Sequence, residues 1–234
     1  TLPLLISRKI IDLLEDTEGE EETFYYVDDS NKMELDYYKN IIIHFFIDHS
    51  FVAISMLTST DEVKSIESII SDYSFLKNIF KKEFVFGESE DIRGKVISVI
   101  EYFLNSCFIS GSETKKGYKI TKLGFDKLPI WASLTKTFLE SYWIAVKAIS
   151  QQRSKEGKRG DILKNMDYLG KRFHKLGVID HIGALSQLNF KNALSFIESD
   201  IINPQQTPED ANYSAIEKLS RLSQRLYNFS HYRM

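Results

Sequence analysis

The chain has 234 residues, of which 43% are hydrophobic, and a formal net charge of −3. This length and apolar content allow a sizeable core, and they exclude a disordered or fibrous protein. The small negative charge excludes the overall basic excess that drives non-specific nucleic-acid binding. Because glycine and proline are scarce and aromatic residues are plentiful, the composition predicts a mostly α-helical globular protein.

The N-terminal residues predict a short amphipathic helix followed by a loop. Pro3 suits the first turn of that helix, and an apolar stripe continues to Leu14. The acidic run at residues 15–22 is typical of a solvated loop. Residues 23–27 are β-branched and aromatic, which predicts a short strand.

The longest apolar run, residues 34–57, predicts the central helix of the fold. From Ile41 onward the run is apolar almost all the way round, which indicates burial on every side of the helix. Polar residues, among them His44 and Ser50, leave it too polar for a membrane span of about 20 apolar residues. We therefore expect the rest of the chain to pack around this helix.

His44, Asp48 and His49 are the tightest group of metal-ligand types in the sequence. Positions 44 and 48 share a helical face, and position 49 is rotated by about 100° from position 48, which is compatible with a weak metal site. The alternative, which we prefer, is a pair of histidines hydrogen-bonded within a buried helix. No metal site and no cofactor is therefore predicted.

Residues 83–122 resemble a winged helix. A strand is predicted at residues 83–86 and a helix after a capping Ser89, and the turn-rich residues 110–117 predict a β-hairpin. An earlier helix is predicted from residue 61, with Thr60 as its cap.

Cys107 falls on the apolar face of the helix after Ser89, which predicts a buried structural thiol. As the single cysteine, it has no partner for an internal disulfide, which favours a reducing, cytoplasmic compartment.

A DNA-binding winged helix needs cations along the exposed face of the helix that precedes the hairpin. Here Arg93 and Lys95 are its only basic residues, and they stand against three carboxylates. A structural unit is therefore preferred over a DNA reader, and no nucleic-acid partner is expected.

The second half of the chain predicts further helices. Residues 127–150 form a long helical pattern with Pro129 near its start, and residues 151–160 predict a polar linker. Residues 1–150 are then a helical core that includes the winged-helix-like unit, and residues 161–234 are a helical part packed on it. A single domain is the alternative.

The linker at residues 151–160 is also basic, which suits it to contact anionic lipid headgroups. Each nearby cation contributes about 1 kcal/mol to such binding. A solvated loop is the other interpretation. Its cations are Arg153, Lys155, Lys158 and Arg159.

The central segment MELDYYKNIIIHFFIDHSFVAISML resembles the start of the C-terminal region in the large, membrane-associated glycerol-3-phosphate acyltransferases of bacteria. These enzymes are related to mitochondrial glycerol-3-phosphate and peroxisomal dihydroxyacetone-phosphate acyltransferases. The family carries Y-Y-R-N-N followed by a histidine, and here Lys39 keeps the cation whereas Ile41 replaces the second asparagine. The segments SFLKNIFKKEFVF, CFISGSETKKGYKI and LPIWASLTKTFLESYWIAVKAI follow in the family's order.

Members of this family transfer an acyl chain from acyl-CoA or acyl carrier protein to the sn-1 hydroxyl of glycerol 3-phosphate, the first step of phospholipid synthesis. Their motif H-x-x-x-x-D supplies a histidine as general base and an aspartate that orients it. None of the five histidines here has an aspartate five residues further on, so no catalytic residue is carried over. The resemblance implies a C-terminal portion that is inactive alone, with the acyltransferase half before Thr1.

The resemblance also implies partners and a location. The partners are the catalytic acyltransferase domain of the same chain, an anionic membrane surface, and acyl-CoA or acyl carrier protein through the complete enzyme. The implied location is peripheral, at the cytoplasmic side of the inner membrane. The candidate contacts to the catalytic domain are Tyr37, Tyr38, Lys39, Asn40 and His44.

A function of another class stays open from the sequence alone. The chain would then be a regulatory or protein-interaction module that contains a winged helix and has no enzymatic context. Binding of duplex DNA that weakens steeply with salt would favour this alternative.

Overall fold

The computed structural model describes residues 2–14, 24–28, 31, 35, 42–59, 63–87, 90–112, 117–152, 159–202 and 215–232. These residues are mostly α-helical, with two antiparallel β-hairpins, which confirms the predicted fold class. The chain divides into two compact units, Thr1–Phe45 and Phe46–Met234. The partition into residues 1–150 and 161–234 stays a prediction.

The first unit contains helix α1 (Leu2–Ser7), strands β1 (Asp12–Leu14) and β2 (Phe24–Tyr26), and a 3-10 turn (Ile43–Phe45). The two strands pair antiparallel, which confirms the predicted strand at residues 23–27. The first helix is shorter than predicted because the chain turns at Lys9, whose φ is +54°. The Asn31 side-chain amide donates a hydrogen bond of 2.8 Å to the Lys9 carbonyl and holds this turn. The acidic run lies outside the described residues.

The second unit contains eight α-helices and one hairpin among its described residues. In chain order these are α2 (Ile47–Leu57), α3 (Ile66–Ile79), α4 (Ile92–Asn105), β3 (Ile109–Ser112), β4 (Gly117–Ile120), α5 (Lys122–Ser133), α6 (Lys136–Gln152), α7 (Arg159–Lys175), α8 (Gln187–Phe196) and α9 (Ala215–Ser230). A 3-10 turn (Ile182–Leu185) precedes α8, and a π-helical turn (Ile197–Ile202) follows it.

Helix α2 is the buried central helix that the apolar run predicts. It packs against α3, α4 and α5, and four consecutive residues from Phe51 to Ile54 have no exposed surface. The regular helix begins at Ile47, later than predicted, because residues 43–45 form a 3-10 turn. Most of the predicted segment before Ile42 lies outside the described residues.

The order α2, a bridging residue, α3, α4 and the β3–β4 hairpin is that of a winged helix. The bridging residue is Lys64, which exchanges two backbone hydrogen bonds of 2.8 and 2.9 Å with Tyr118 on β4. The strand predicted at residues 83–86 is wrong. Glu83 and Phe84 instead form a turn, and both of their amides donate to the Phe80 carbonyl. The phenylalanines of this segment, which suggest a strand, instead pack against other rings: the ring centroids of Phe84 and Phe138 are 5.1 Å apart.

The starts of α3 and α4 also differ from prediction. Helix α3 begins at Ile66 rather than at residue 61, because Lys64 pairs with Tyr118 of the hairpin instead of joining the helix. Thr60, the predicted cap, lies outside the described residues. Ser65 is its cap and accepts the Ser68 amide at 3.2 Å. Helix α4 is capped by Asp91, which accepts the Gly94 amide at 2.9 Å, whereas Ser89 lies outside the described residues.

Cys107 is exposed, so the prediction of a buried thiol is wrong. The residue follows the end of α4 and has a φ of +58°. Its amide donates to the Leu104 carbonyl and the Phe108 amide donates to the Phe103 carbonyl, the pattern of a helix that ends in a left-handed residue. The helix therefore ends before its apolar stripe reaches Cys107.

The long helix predicted at residues 127–150 is two helices, α5 and α6. The Ser133 hydroxyl donates to the Ile130 carbonyl at 2.8 Å, a local bond that competes with helix continuation. After the break, the Thr135 hydroxyl lies 2.8 Å from that of Ser50 in α2, and both groups are buried. This pair explains why a serine interrupts the apolar run of α2.

Helix α6 is a second central helix, around which α7, α8 and α9 pack. It is buried on nearly every side. Helix α9 is amphipathic and buries Leu219, Leu222, Leu226 and Phe229. Helix α7 ends before Gly177, whose φ of +67° suits the end of a helix.

Candidate functional site

A cavity of about 440 Å³ lies where the chain before α3, the first turns of α3 and helix α9 meet. Ser65, Ser68 and Asp72 follow each other at helical spacing and bring two hydroxyls and a carboxylate to one side of α3. The packing of α9 on α6 brings Arg225 and Asn228 to the other side. The lining residues are Thr58, Ser59, Val63, Lys64, Ser65, Ser68, Asp72, Arg225, Asn228 and Phe229.

Asp72 is the acceptor on which two cations of this cavity converge. Its Oδ2 lies 2.6 Å from Lys64 Nζ and accepts the Ser55 hydroxyl at 2.9 Å, and its Oδ1 accepts Arg225 Nη2 at 2.8 Å. Lys64 Nζ also donates to the Ser55 carbonyl at 2.6 Å. Since the Lys64 side chain is only 8% exposed, these bonds replace the water that its ammonium loses on burial.

The guanidinium of Arg225 is held in place by two aromatic rings. Its central carbon lies 3.7 Å from the ring centroid of Phe75 and 5.5 Å from that of Phe229. The guanidinium carries five N–H donors, and the bond to Asp72 uses one of them. The described lining of the cavity holds two cations and one carboxylate, a formal charge of +1, which suits it to bind an anion.

The described lining contains hydroxyls, an amide and three charged groups. The arrangement can therefore bind and orient an anionic group.

Asp48 and His49 face different neighbours. Asp48 accepts the Tyr73 hydroxyl at 2.5 Å and lies 3.6 Å from Lys95 Nζ. The His49 ring stacks on Trp131 at 4.9 Å between centroids, and burial lowers the pKa of His49. The preferred interpretation, a pair of histidines hydrogen-bonded within a buried helix, is wrong, because His44 is exposed in a 3-10 turn and the buried Nδ1 of His49 has no hydrogen-bond partner in the described part of the chain. Among the residues that the structure describes, no three His, Cys, Asp or Glu side chains are placed to hold a metal ion.

A second buried charge cluster links α6 to residues 180 and 181, which precede the 3-10 turn at Ile182–Leu185. Glu140 is 1% exposed and accepts the amides of Asp180 at 3.0 Å and His181 at 3.4 Å. Lys136, one turn earlier on α6, forms an ion pair with Asp180. Burial raises the pKa of Glu140 to about 7, because the amide bonds and Lys136 offset only part of the desolvation.

The predicted contact residues fall mostly outside the described part of the chain. This applies to Tyr37, Tyr38, Lys39 and Asn40, and to Arg153, Lys155 and Lys158. Arg159 is the first residue of α7. His44 is exposed in the 3-10 turn, with its ring 3.9 Å from that of Phe45. The roles of these residues stay predictions.

The sequence gives no strong signal for the cavity. Asp72 and Arg225 are 153 residues apart, and each looks like an ordinary surface charge on an amphipathic helix. The weak signal is Phe229, four residues after Arg225, since an arginine and an aromatic residue at this spacing share a helical face.

No helix in the described residues is both long and apolar enough to cross a bilayer. No curated protein matches the sequence. The family described as the glycerol-3-phosphate acyltransferase C-terminal region matches residues 4–204. Because this match covers most of the chain, the protein belongs to the family of glycerol-3-phosphate acyltransferase C-terminal regions.

Proposed function

We propose that the chain is the non-catalytic, supporting portion of a glycerol-3-phosphate acyltransferase. The complete enzyme would transfer an acyl chain from acyl-CoA or acyl carrier protein to the sn-1 hydroxyl of glycerol 3-phosphate in phospholipid synthesis. The family match over residues 4–204 carries this proposal. A sequence without H-x-x-x-x-D supports the non-catalytic role, because that motif supplies the family's general base.

The described core is built as a scaffold. Its two central helices are buried, and their polar side chains link elements to one another, as Ser50 does with Thr135. We assign the surface that contacts the catalytic half to residues 37–40 and to the exposed His44.

The first test removes this surface in the full-length enzyme. Replacing Tyr37 and Tyr38 together by alanine is expected to lower kcat/KM several-fold, since truncated aromatic side chains at an interface commonly weaken it by more than about 1 kcal/mol. Acyl transfer to glycerol 3-phosphate is the measurement. Tyr168→Ala is the matched control, because Tyr168 is 62% exposed on α7. Full activity of the catalytic half without this portion would refute the supporting role.

We further propose that the protein lies peripherally on the cytoplasmic face of the inner membrane, through the cations at positions 153–159. Reversing three of them (K155E, K158E and R159E) is expected to weaken binding to vesicles with anionic lipid at least tenfold. Each nearby cation contributes about 1 kcal/mol. The measurement is vesicle co-sedimentation, and the control reverses the exposed Lys119, Lys122 and Lys127. Unchanged vesicle binding of the variant with K155E, K158E and R159E would refute the proposed membrane contact.

We infer that the winged-helix-like unit serves structure rather than DNA recognition, and that nucleic acid is not a partner. The helix that would read DNA is α4, and its cations face carboxylates. Arg93 lies 3.9 Å from Glu67, and Lys95 Nζ lies 3.0 Å from Glu90. An ion-paired helix of this kind offers little positive charge to phosphates.

A further inference from the structure

We propose that the cavity between α3 and α9 binds a phosphate group. This inference is independent of the supporting role, because it stands on the cavity alone. Arg225, which completes the cavity, also lies beyond the residues that match the family.

Two different cations converge in this cavity. Lys64 and Arg225 reach opposite oxygens of Asp72, so both charged groups border the same space. Asp72 neutralises one of them and keeps both in place. A phosphate that enters the cavity meets a surplus positive charge whose geometry is already fixed, which lowers the cost of ordering these side chains.

The cavity also supplies hydrogen-bond donors for phosphate oxygens. Arg225 retains N–H donors beyond the one bound to Asp72, and its planar fork matches the oxygens of a phosphate. The stacking of its guanidinium on Phe75 fixes the plane of that fork. The hydroxyl of Ser68 and the amide of Asn228 also line the space.

The size and polarity of the cavity suit a small polar ligand. A volume of about 440 Å³ lies within the range of small-molecule sites, roughly 300–1,000 Å³. Most lining side chains are charged or hydroxyl-bearing, so the cavity suits a polar ligand rather than an acyl chain. The phosphate could belong to a soluble phosphate ester or to a phospholipid headgroup.

The test titrates inorganic phosphate into the 234-residue chain at constant ionic strength. The readout in every variant is the rise in Tm with phosphate concentration. In the wild type and in variants that keep Arg225, the shift of the Arg225 Nε–H NMR signal is a second readout. Arg225→Gln is expected to weaken binding about tenfold, because a hydrogen bond to a charged group contributes at least that factor. Lys171→Gln is the control, since Lys171 pairs with Asp167 on the exposed side of α7 and should bind phosphate like the wild type. Arg225→Lys, which keeps the charge, is expected to give intermediate binding and replaces the glutamine variant if that one does not fold.

Asp72→Asn separates a ligand site from a merely structural ion pair. Asparagine keeps the size and one acceptor oxygen of Asp72, so it still helps to position Lys64 and Arg225, while the formal charge of the described lining rises to +2. Phosphate is therefore expected to bind about threefold or more tightly. A purely structural role predicts lower stability with no gain in phosphate affinity.

A second set of measurements identifies the source of the phosphate. Vesicles of phosphatidylcholine containing phosphatidic acid are compared with vesicles of phosphatidylcholine alone. Retention on the first kind that Arg225→Gln lowers and Lys171→Gln does not indicates a lipid headgroup, because any retention through the cations at positions 153–159 is the same in both variants. Saturation by inorganic phosphate alone indicates a soluble ester. Either result supports the proposal. It is overturned if Arg225→Gln and Lys171→Gln behave alike in both measurements, or if Asp72→Asn does not tighten phosphate binding.

Discussion

Replacing Gly117 by alanine is expected to lower the free energy of unfolding by about 3 kcal/mol or more. Gly117 starts β4 with a φ of +131°, a conformation that side chains rarely adopt. An added Cβ would lie 2.3 Å from the carbonyl oxygen of Lys64. The backbone must therefore move, which breaks the paired hydrogen bonds between Lys64 and Tyr118.

Urea unfolding measures this loss as a lower midpoint at an unchanged slope. Gly160→Ala is the matched control, because Gly160 lies in α7 and an added Cβ there meets nothing within 4 Å. Because alanine favours a helix more than glycine does, Gly160→Ala is expected to raise the free energy of unfolding by up to about 1 kcal/mol. A loss below about 1 kcal/mol for Gly117→Ala would contradict the role given to the bridge at Lys64.

Raising the pH from 4.5 to about 7 is expected to remove up to about 3 kcal/mol of stability that Glu140 contributes. Its pKa in the folded protein, about 7, lies above the ordinary value of 4.5, so the folded state binds the proton more tightly. The contribution is therefore complete below pH 4.5 and is lost as the pH rises through about 7. The cause is burial, since the carboxyl is 1% exposed.

Glu140→Gln isolates this effect, because glutamine keeps an acceptor for the amides of Asp180 and His181 but has no proton to lose. The free energy of unfolding, measured in urea from pH 4.5 to 8, should fall more steeply for the wild type than for the variant. Glu101→Gln, at an exposed position on α4, should follow the wild-type curve. Parallel curves for the wild type and Glu140→Gln would show that this carboxyl does not titrate in the window.

The elements that periodicity predicts well are those fixed by local sequence. The buried α2, the β3–β4 hairpin and the amphipathic α9 follow from an apolar run, a turn-rich segment and a helical stripe. The family follows from the order of several such segments. These features depend on neighbours in sequence, so no knowledge of tertiary contacts is needed.

Features decided by distant contacts are not predictable in this way. The strand-like role of Lys64 depends on Tyr118, 54 positions later, whereas residues 83–86 have strand-like composition but pack their rings instead. The break between α5 and α6 depends in part on the contact of Thr135 with Ser50. The cavity depends on the hydrogen bond between Arg225 and Asp72, which are 153 residues apart in the sequence, and no local sequence pattern predicts that contact.

The separation of 153 residues between Arg225 and Asp72 also sets an order of events during synthesis. Helix α3 leaves the ribosome long before α9, and at about 5–20 residues per second the interval is roughly 8 to 30 s. Helix α6 is synthesised about halfway through this interval, and from then on it lacks the helix that covers one of its sides. The nascent chain therefore exposes part of its second central helix at the stage when chaperones act, and the winged-helix-like unit can form before that helix is covered.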